Sequence, residues 1–204
     1  MTKKEALSIV FLCASEYKKN LLNRSLLFVC ANKHKNIYCL EVTCDASNFQ
    51  HMTGFKTNEL KISPSHFFTL CIDKRLTESD FEFSNDGTTP LKMQVLPNVV
   101  KRNLSANMIG DYNKLQPKLY TEKLAGGVKA CVGFVRNNGI GRYVPNTVLA
   151  GDMRKKVNQQ DRIILTYRKK RSDNRYSEIV YKAKKVDWSN INLPEQYKYL
   201  PLPL

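Results

Sequence analysis

The chain is 204 residues long, 42% hydrophobic, and carries 33 Lys+Arg against 18 Asp+Glu, a formal net charge of +15. That hydrophobic share supports a packed interior and excludes a disordered chain, and no apolar run approaches the ~18–20 residues that span a bilayer. The charge exceeds the about 2–8 that solubility asks of a small domain and attracts polyanions; nucleic acid is preferred to a membrane surface because no basic amphipathic helix is evident.

In chain order, Thr2-x-x-Glu5 fits a capping box, and Leu7, Val10, Phe11, Ala14 and Tyr17 recur at helical spacing. A helix over about residues 3–20 is expected there. Two lysines before an apolar stretch resemble a secretory leader, but Ser8 and the polar run Cys13–Lys19 interrupt it and no small-x-small cleavage site follows. The chain reads as cytoplasmic. The apolar runs Ser25–Ala31 and Ile37–Thr43, split by Asn32–Asn36, predict a β-hairpin. Residues 45–61 read as irregular. Ser63-Pro64 reads as a helix cap followed by an N1 proline, with Phe67, Phe68 and Cys71 as the apolar face. Thr77 is expected to cap another short helix, Asn85-Asp86-Gly87 to form a turn, and Leu91–Leu104 to form either two helical pieces or one helix broken at Pro97.

Beyond about residue 118 the pattern changes to short strand-like runs: Leu119–Ala125, Val128–Arg136, Arg142–Leu149, Arg162–Arg168 and Ser177–Ala183, separated by turn residues. The expected fold is α+β, with N-terminal helices and a short hairpin packed on a C-terminal curved antiparallel sheet. Residues 1–44 belong to the same domain as a core unit over 45–190, and 191–204 form a Pro-rich tail that packs extended or frays.

Six cysteines are dispersed among apolar neighbours with no CxxC pair. This predicts buried reduced thiols, with neither a zinc site nor a disulfide framework. No P-loop, dinucleotide-binding glycine signature, HExxH or GxSxG occurs. Arg136-Asn-Asn-Gly-Ile-Gly141 lies between strands and reads as a hairpin turn. His34 reads as a solvated loop residue and His66 as structural. His51 precedes Thr53-Gly54, where glycine permits close backbone approach to a ligand; a structural and a catalytic role are both open. Over Arg142–Thr147, Tyr143 reads as a residue that stacks on a base and Asn146 and Thr147 as donors to phosphate, with a turn-and-cap role for Asn146 equally open. Between residues 150 and 185 twelve basic side chains face four acidic ones, among them Arg168, Lys169, Lys170 and Arg171, which read either as a hairpin tip or as a grip on phosphates.

The ordered set His51-x-Thr53-Gly54, Asp80-Phe81, Asp86-Gly87-Thr88-Thr89, Met108-Ile-Gly-Asp-Tyr112, Leu119-Tyr-Thr-Glu-Lys-Leu-Ala-Gly126 and Tyr143-Val-Pro-Asn-Thr147 resembles the phage- and mobile-element-associated branch of the barnase–EndoU–colicin–RelE nuclease superfamily. The resemblance covers about residues 45–186. It implies a metal- and cofactor-independent RNase that turns the RNA 2′-hydroxyl on its own phosphate. Such chemistry needs a base, an acid and cations. His51 is then the proton carrier, Lys123 or Arg142 neutralises the transition state, and Tyr120, Asn146 and Thr147 orient the phosphate. The expected site is thus His51, Lys123 and Thr147 for catalysis, with Tyr120, Arg142, Tyr143, Asn146, Arg168, Lys169 and Lys170 on the substrate. The implied partners are RNA or other nucleic acid and, for a toxin or phage effector, an antitoxin or host protein. The rival readings are a non-catalytic nucleic-acid-binding module and a binder of a host protein.

Overall fold

The computed structural model describes residues 1–58, 61–115 and 119–203. Helix α1 (Lys3–Asn20) starts at the expected box: Thr2 Oγ1 accepts from the Glu5 amide (3.1 Å) and the Glu5 carboxylate from the Thr2 amide (2.7 Å). Such a cap is worth about 1 kcal/mol. Its buried face is Ala6, Val10, Cys13, Ala14 and Tyr17, at the spacing that puts side chains on one helical side. The hairpin forms as β1 (Arg24–Ala31) and β2 (Ile37–Cys44). Its loop is closed by the Asn32 side chain, which accepts from the His34 and Asn36 amides, both at 2.9 Å.

Two expectations fail in the next segment. Residues 45–61, of which Glu59 and Leu60 lie outside the described residues, are not irregular: they hold helix α2 (Ala46–Thr53). Asp45 and Asn48 cap it reciprocally, and Gly54 ends it in the left-handed region at φ 77°, which glycine adopts at little cost. Thr77 starts a turn rather than a helix, because the Asp80 carboxylate takes both its amide and its hydroxyl at 2.7 Å and so satisfies those donors locally. Two-residue strands β3 (Phe55–Lys56) and β4 (Glu82–Phe83) pair, and α3 (Pro64–Ile72) begins at Ser63 as read. Helix α4 (Thr89–Val99) runs two residues past Pro97.

The strands that follow are β5 (Met108–Asp111), β6 (Lys123–Gly126), β7 (Ala130–Asn137), β8 (Arg142–Ala150), β9 (Asp161–Lys170) and β10 (Glu178–Lys182). The fold is α+β with its helices N-terminal, as expected. The hairpin, however, is not a separate layer on the sheet. β1 pairs with β9 along its length, and β2 meets β8 in parallel at one position, Val42 opposite Tyr143. The pairings β1–β2–β8–β7–β6–β5–β9–β1 therefore close a seven-strand ring, with β10 added to the outer edge of β9. The sheet is mixed rather than purely antiparallel.

Alternate residues of every ring strand point inward. Leu26 and Phe28, Leu40 and Val42, Val148, Val132 and Phe134, Ala125, Ile109 and Ile163 fall in one buried cluster together with the inner faces of α1 to α4. Phe28 and Phe134, from non-neighbouring strands, meet edge-on across it at 6.4 Å between centroids, a contact worth about 0.5–1.5 kcal/mol beyond its burial. Outside the ring, Leu27, Val29, Leu165 and Tyr167 are covered by Leu193 and Leu200 of the tail, which packs rather than frays. Leu204 lies outside the described residues. Among the described residues all six cysteines are free thiols, and no helix is long and apolar enough to cross a membrane.

Candidate nucleic-acid cleft at the barrel mouth

Helices α2 and α4 pack against β8 and, with α1, fill the end of the ring where β1 begins and β2 finishes. Continuing the inward alternation one step toward the opposite end reaches polar residues on nearly every strand: Tyr38 on β2, Asp111 on β5, Lys123 on β6, Arg136 on β7, Tyr143 on β8 and Asp161 on β9. This end is the mouth. Lys123 Nζ lies 2.5 Å from Asp111 Oδ1, and the Tyr38 phenol donates to Asp161 Oδ2 at 2.8 Å. Burial, with the Cys30 thiol and Asp161 beside it, pushes Tyr38 well above an ordinary phenol, so it remains a neutral donor.

Because β2 and β8 touch at Val42 and Tyr143 only, they splay apart before that point, and a cleft of about 500 Å³ opens between them. Lys123, Arg136, Tyr143, Glu41 and Tyr38 line it, with Gln196 and Tyr197 of the tail as one wall. Glu41 is held from two sides: Arg142 Nε lies 2.5 Å from its Oε2, and the Tyr197 hydroxyl donates to Oε1 at 3.1 Å. The cleft thus pairs two cations and an aromatic ring with one oriented carboxylate.

The structure brings some of the sequence-derived residues together and separates others. Lys123 and Tyr143 line the cleft, and Arg142 braces Glu41 at its edge. Tyr120 is 87% exposed, and its carbonyl accepts from Asn146, whose side-chain oxygen also takes the Thr121 hydroxyl at 3.2 Å. Thr147 lies beneath this latch, 4% exposed, against Gly133, and its hydroxyl finds no hydrogen-bond partner among the described residues. His51 is on the exposed side of α2, in a separate hollow with Phe55, Lys56 and Thr57. Neither Lys123 nor Thr147 lines that hollow.

The Arg168–Arg171 cluster does not form one surface. Arg168 is 9% exposed, its guanidinium spread over Glu178 (2.8 and 2.9 Å) and the Asn20 carbonyl (2.9 Å). Lys169 donates to the Asp173 carbonyl at 2.9 Å and sits over the Tyr176 ring, Arg171 pairs with Asp45, and Lys170 is exposed at the end of β9. These side chains tie the β9–β10 hairpin to the helical end of the ring.

Glu41, Arg136 and Tyr38 also line the cleft and were not among the residues picked from sequence. A charged residue inside the apolar run Ile37–Thr43 was a legible signal for Glu41. Arg136 closes a strand run and was absorbed into the turn that follows it. Among the described residues no group of three or more His, Cys, Asp or Glu side chains is placed to hold a metal ion.

The architecture is an α+β ring plugged by helices at one end, with Lys123, Arg136, Tyr143, Asp111 and Asp161 at the open end and Glu41 held at the cleft beside it. The chain belongs to PBECR4, the phage-Barnase-EndoU-ColicinE5/D-RelE like nuclease4 family, whose profile matches residues 9–185. It is a nuclease-family protein, and nucleic acid is the substrate class that the family implies. No curated protein and no solved structure matches the chain.

Proposed function

We propose that the protein is a metal-independent endoribonuclease and that the cleft at the barrel mouth is its active site. The observation that carries this reading is the convergence of Lys123, Arg136, Glu41 and Tyr143, from four different strands, on one opening. In-line cleavage needs a base for the 2′-hydroxyl, an acid for the 5′-oxygen and positive charge for the crowded phosphorane. Glu41 accepts the 2′-hydroxyl proton as the 2′-oxygen attacks phosphorus. The P–O5′ bond breaks, and Lys123 delivers a proton to the leaving 5′-oxygen. Arg136 neutralises the equatorial oxygens, and Tyr143 stacks on a flanking base. Arg142 and Tyr197 act as positioning residues through Glu41. The products are a 2′,3′-cyclic phosphate and a 5′-hydroxyl. A toxin or phage-effector role, with an antitoxin or host partner, fits the family and is part of this proposal.

The direct test incubates the protein with RNA in excess EDTA and analyses the fragment ends. Cyclic phosphate termini formed at an undiminished rate are expected. Intact RNA, or 3′-hydroxyl and 5′-phosphate ends, would refute the mechanism.

A further inference from the structure

The outer edge of β9 has two partners. β5 pairs with it at Asp161 and Arg162, and β10 pairs with it from Leu165 to Arg168. The two neighbours part between these stretches, and the fork opens a groove of about 800 Å³. Lys33, Arg154, Arg162, Lys182 and Lys184 line it; Asp161 is the lining carboxylate, and Arg154 is paired with Asp152 at 2.6 Å, so four cations face the groove against Asp161. These five cations come from the β1–β2 loop, the turn after β8, β9, and β10 with the residues beyond it. Four of them belong to the basic run between residues 150 and 185, and the fold brings Lys33 to them from the β1–β2 loop. Like charges around one opening repel, and the arrangement is useful when a polyanion occupies it.

Two of the cations are oriented. The Arg162 guanidinium donates to the Lys184 carbonyl, and Lys182 Nζ lies 5.7 Å over the Trp188 ring. Half-buried Tyr181 adds an aromatic surface to the wall. The groove also adjoins the proposed active site. Tyr38 lines the cleft, Asp161 lines the groove, and the 2.8 Å hydrogen bond between them crosses the mouth.

We propose that this groove is a second nucleic-acid site, which holds the sugar–phosphate backbone of a single-stranded RNA a few nucleotides from the bond being cut. The proposal rests on the reading of the cleft as the cutting site. The enzyme therefore favours long RNA over dinucleotides, because only a long strand reaches the groove.

The test is the double variant Lys33→Ser/Lys184→Ser, which leaves the cleft intact. Binding is followed by anisotropy of a fluorescein-labelled 2′-O-methyl oligonucleotide of about 12 nucleotides, a length within single-strand site sizes that cannot undergo 2′-hydroxyl attack. Each lost phosphate contact lowers the slope of log K against log salt by about 0.7 for a single strand, so two lower it by about 1.4 and weaken binding roughly 25-fold at 0.1 M salt relative to the 1 M reference. Cleavage of the same sequence in ordinary RNA is expected to fall in kcat/KM with dinucleotide turnover unchanged. An unchanged salt slope overturns the groove, as does an equal loss on both substrates. If the wild-type protein cuts neither substrate, the cleft reading has failed, and the anisotropy arm still decides whether the groove binds RNA.

Discussion

Arg168→Ala separates a structural basic cluster from a substrate-binding one. In the wild type the Arg168 side chain is 11% exposed, makes two hydrogen bonds to Glu178 and one to the Asn20 carbonyl, and so joins β9 to β10 and to the end of α1. Removing one partner of a buried pair costs about 3–5 kcal/mol. Glu178 is 42% exposed and also lies 3.6 Å from Arg102, so solvent and a second cation recover part of that, and the expected loss is about 2–3 kcal/mol. For a chain of this length each kcal/mol moves Tm by about 2–4 °C, which gives a drop of about 4–12 °C by circular dichroism. Lys170→Ala, at an exposed position of the same strand, is expected to move Tm by less than about 2 °C, since surface substitutions stay within about 0.5 kcal/mol. Measured at 20 °C, where both variants remain folded, RNA affinity of Arg168→Ala matches wild type. A variant that keeps its Tm and loses RNA binding would refute this assignment.

Further predictions follow from the barrel itself. A side chain at Gly133 meets Thr147 Cγ2 at 2.6 Å and Thr121 Cγ2 at 2.9 Å, so Gly133→Val is expected to destabilise by about 1–3 kcal/mol or more through overpacking, read by urea titration. Burial raises the phenols of Tyr17 and Tyr38 above their ordinary value of 10.0. The folded state then retains protons that the unfolded state releases, so the contribution of these phenols is full below about pH 10 and declines as pH rises through that value; urea midpoints at pH 7 to 11 check the direction. Burial likewise pushes the thiols of Cys13, Cys44 and Cys131 up to about 12, so at pH 8 these three are expected to resist iodoacetamide in the native protein and to alkylate in denaturant, as mass spectrometry will show.

The parts of the fold legible in the sequence were those with strong local periodicity. Helix α1 and the hairpin announced themselves through a capping box and two apolar runs around a polar loop. Helix α2 is eight residues long and shows no apolar stripe long enough to read, although Asp45, Asn48 and Gly54 marked its two ends. Strand β5 has four residues, and its partner β9 lies some fifty positions further on. Ring closure was not legible, because β1 finds β9 across more than 130 residues and period-2 patterning says which face is buried without saying which strand lies alongside. That closure decides the cleft. It puts Lys123 and Arg136 in one cleft with Glu41, which local sequence had hidden inside a strand, and it turns Arg168 and Arg171 toward the helical end. Of the residues picked from sequence, Lys123 and Tyr143 line the cleft and Arg142 braces its edge, whereas the imidazole of His51, attractive for its pKa, sits on a different element and a different hollow.

The central claim is that RNA is cut at the barrel mouth. Single-turnover cleavage of one labelled RNA by Lys123→Met and by His51→Ala, side by side in EDTA, tests it most directly. The account predicts a loss of about 10²–10⁴ in rate for Lys123→Met, the cost of removing the general acid, with unchanged circular dichroism and with His51→Ala at the wild-type rate. A His51→Ala enzyme that is inactive while Lys123→Met cuts normally would contradict it.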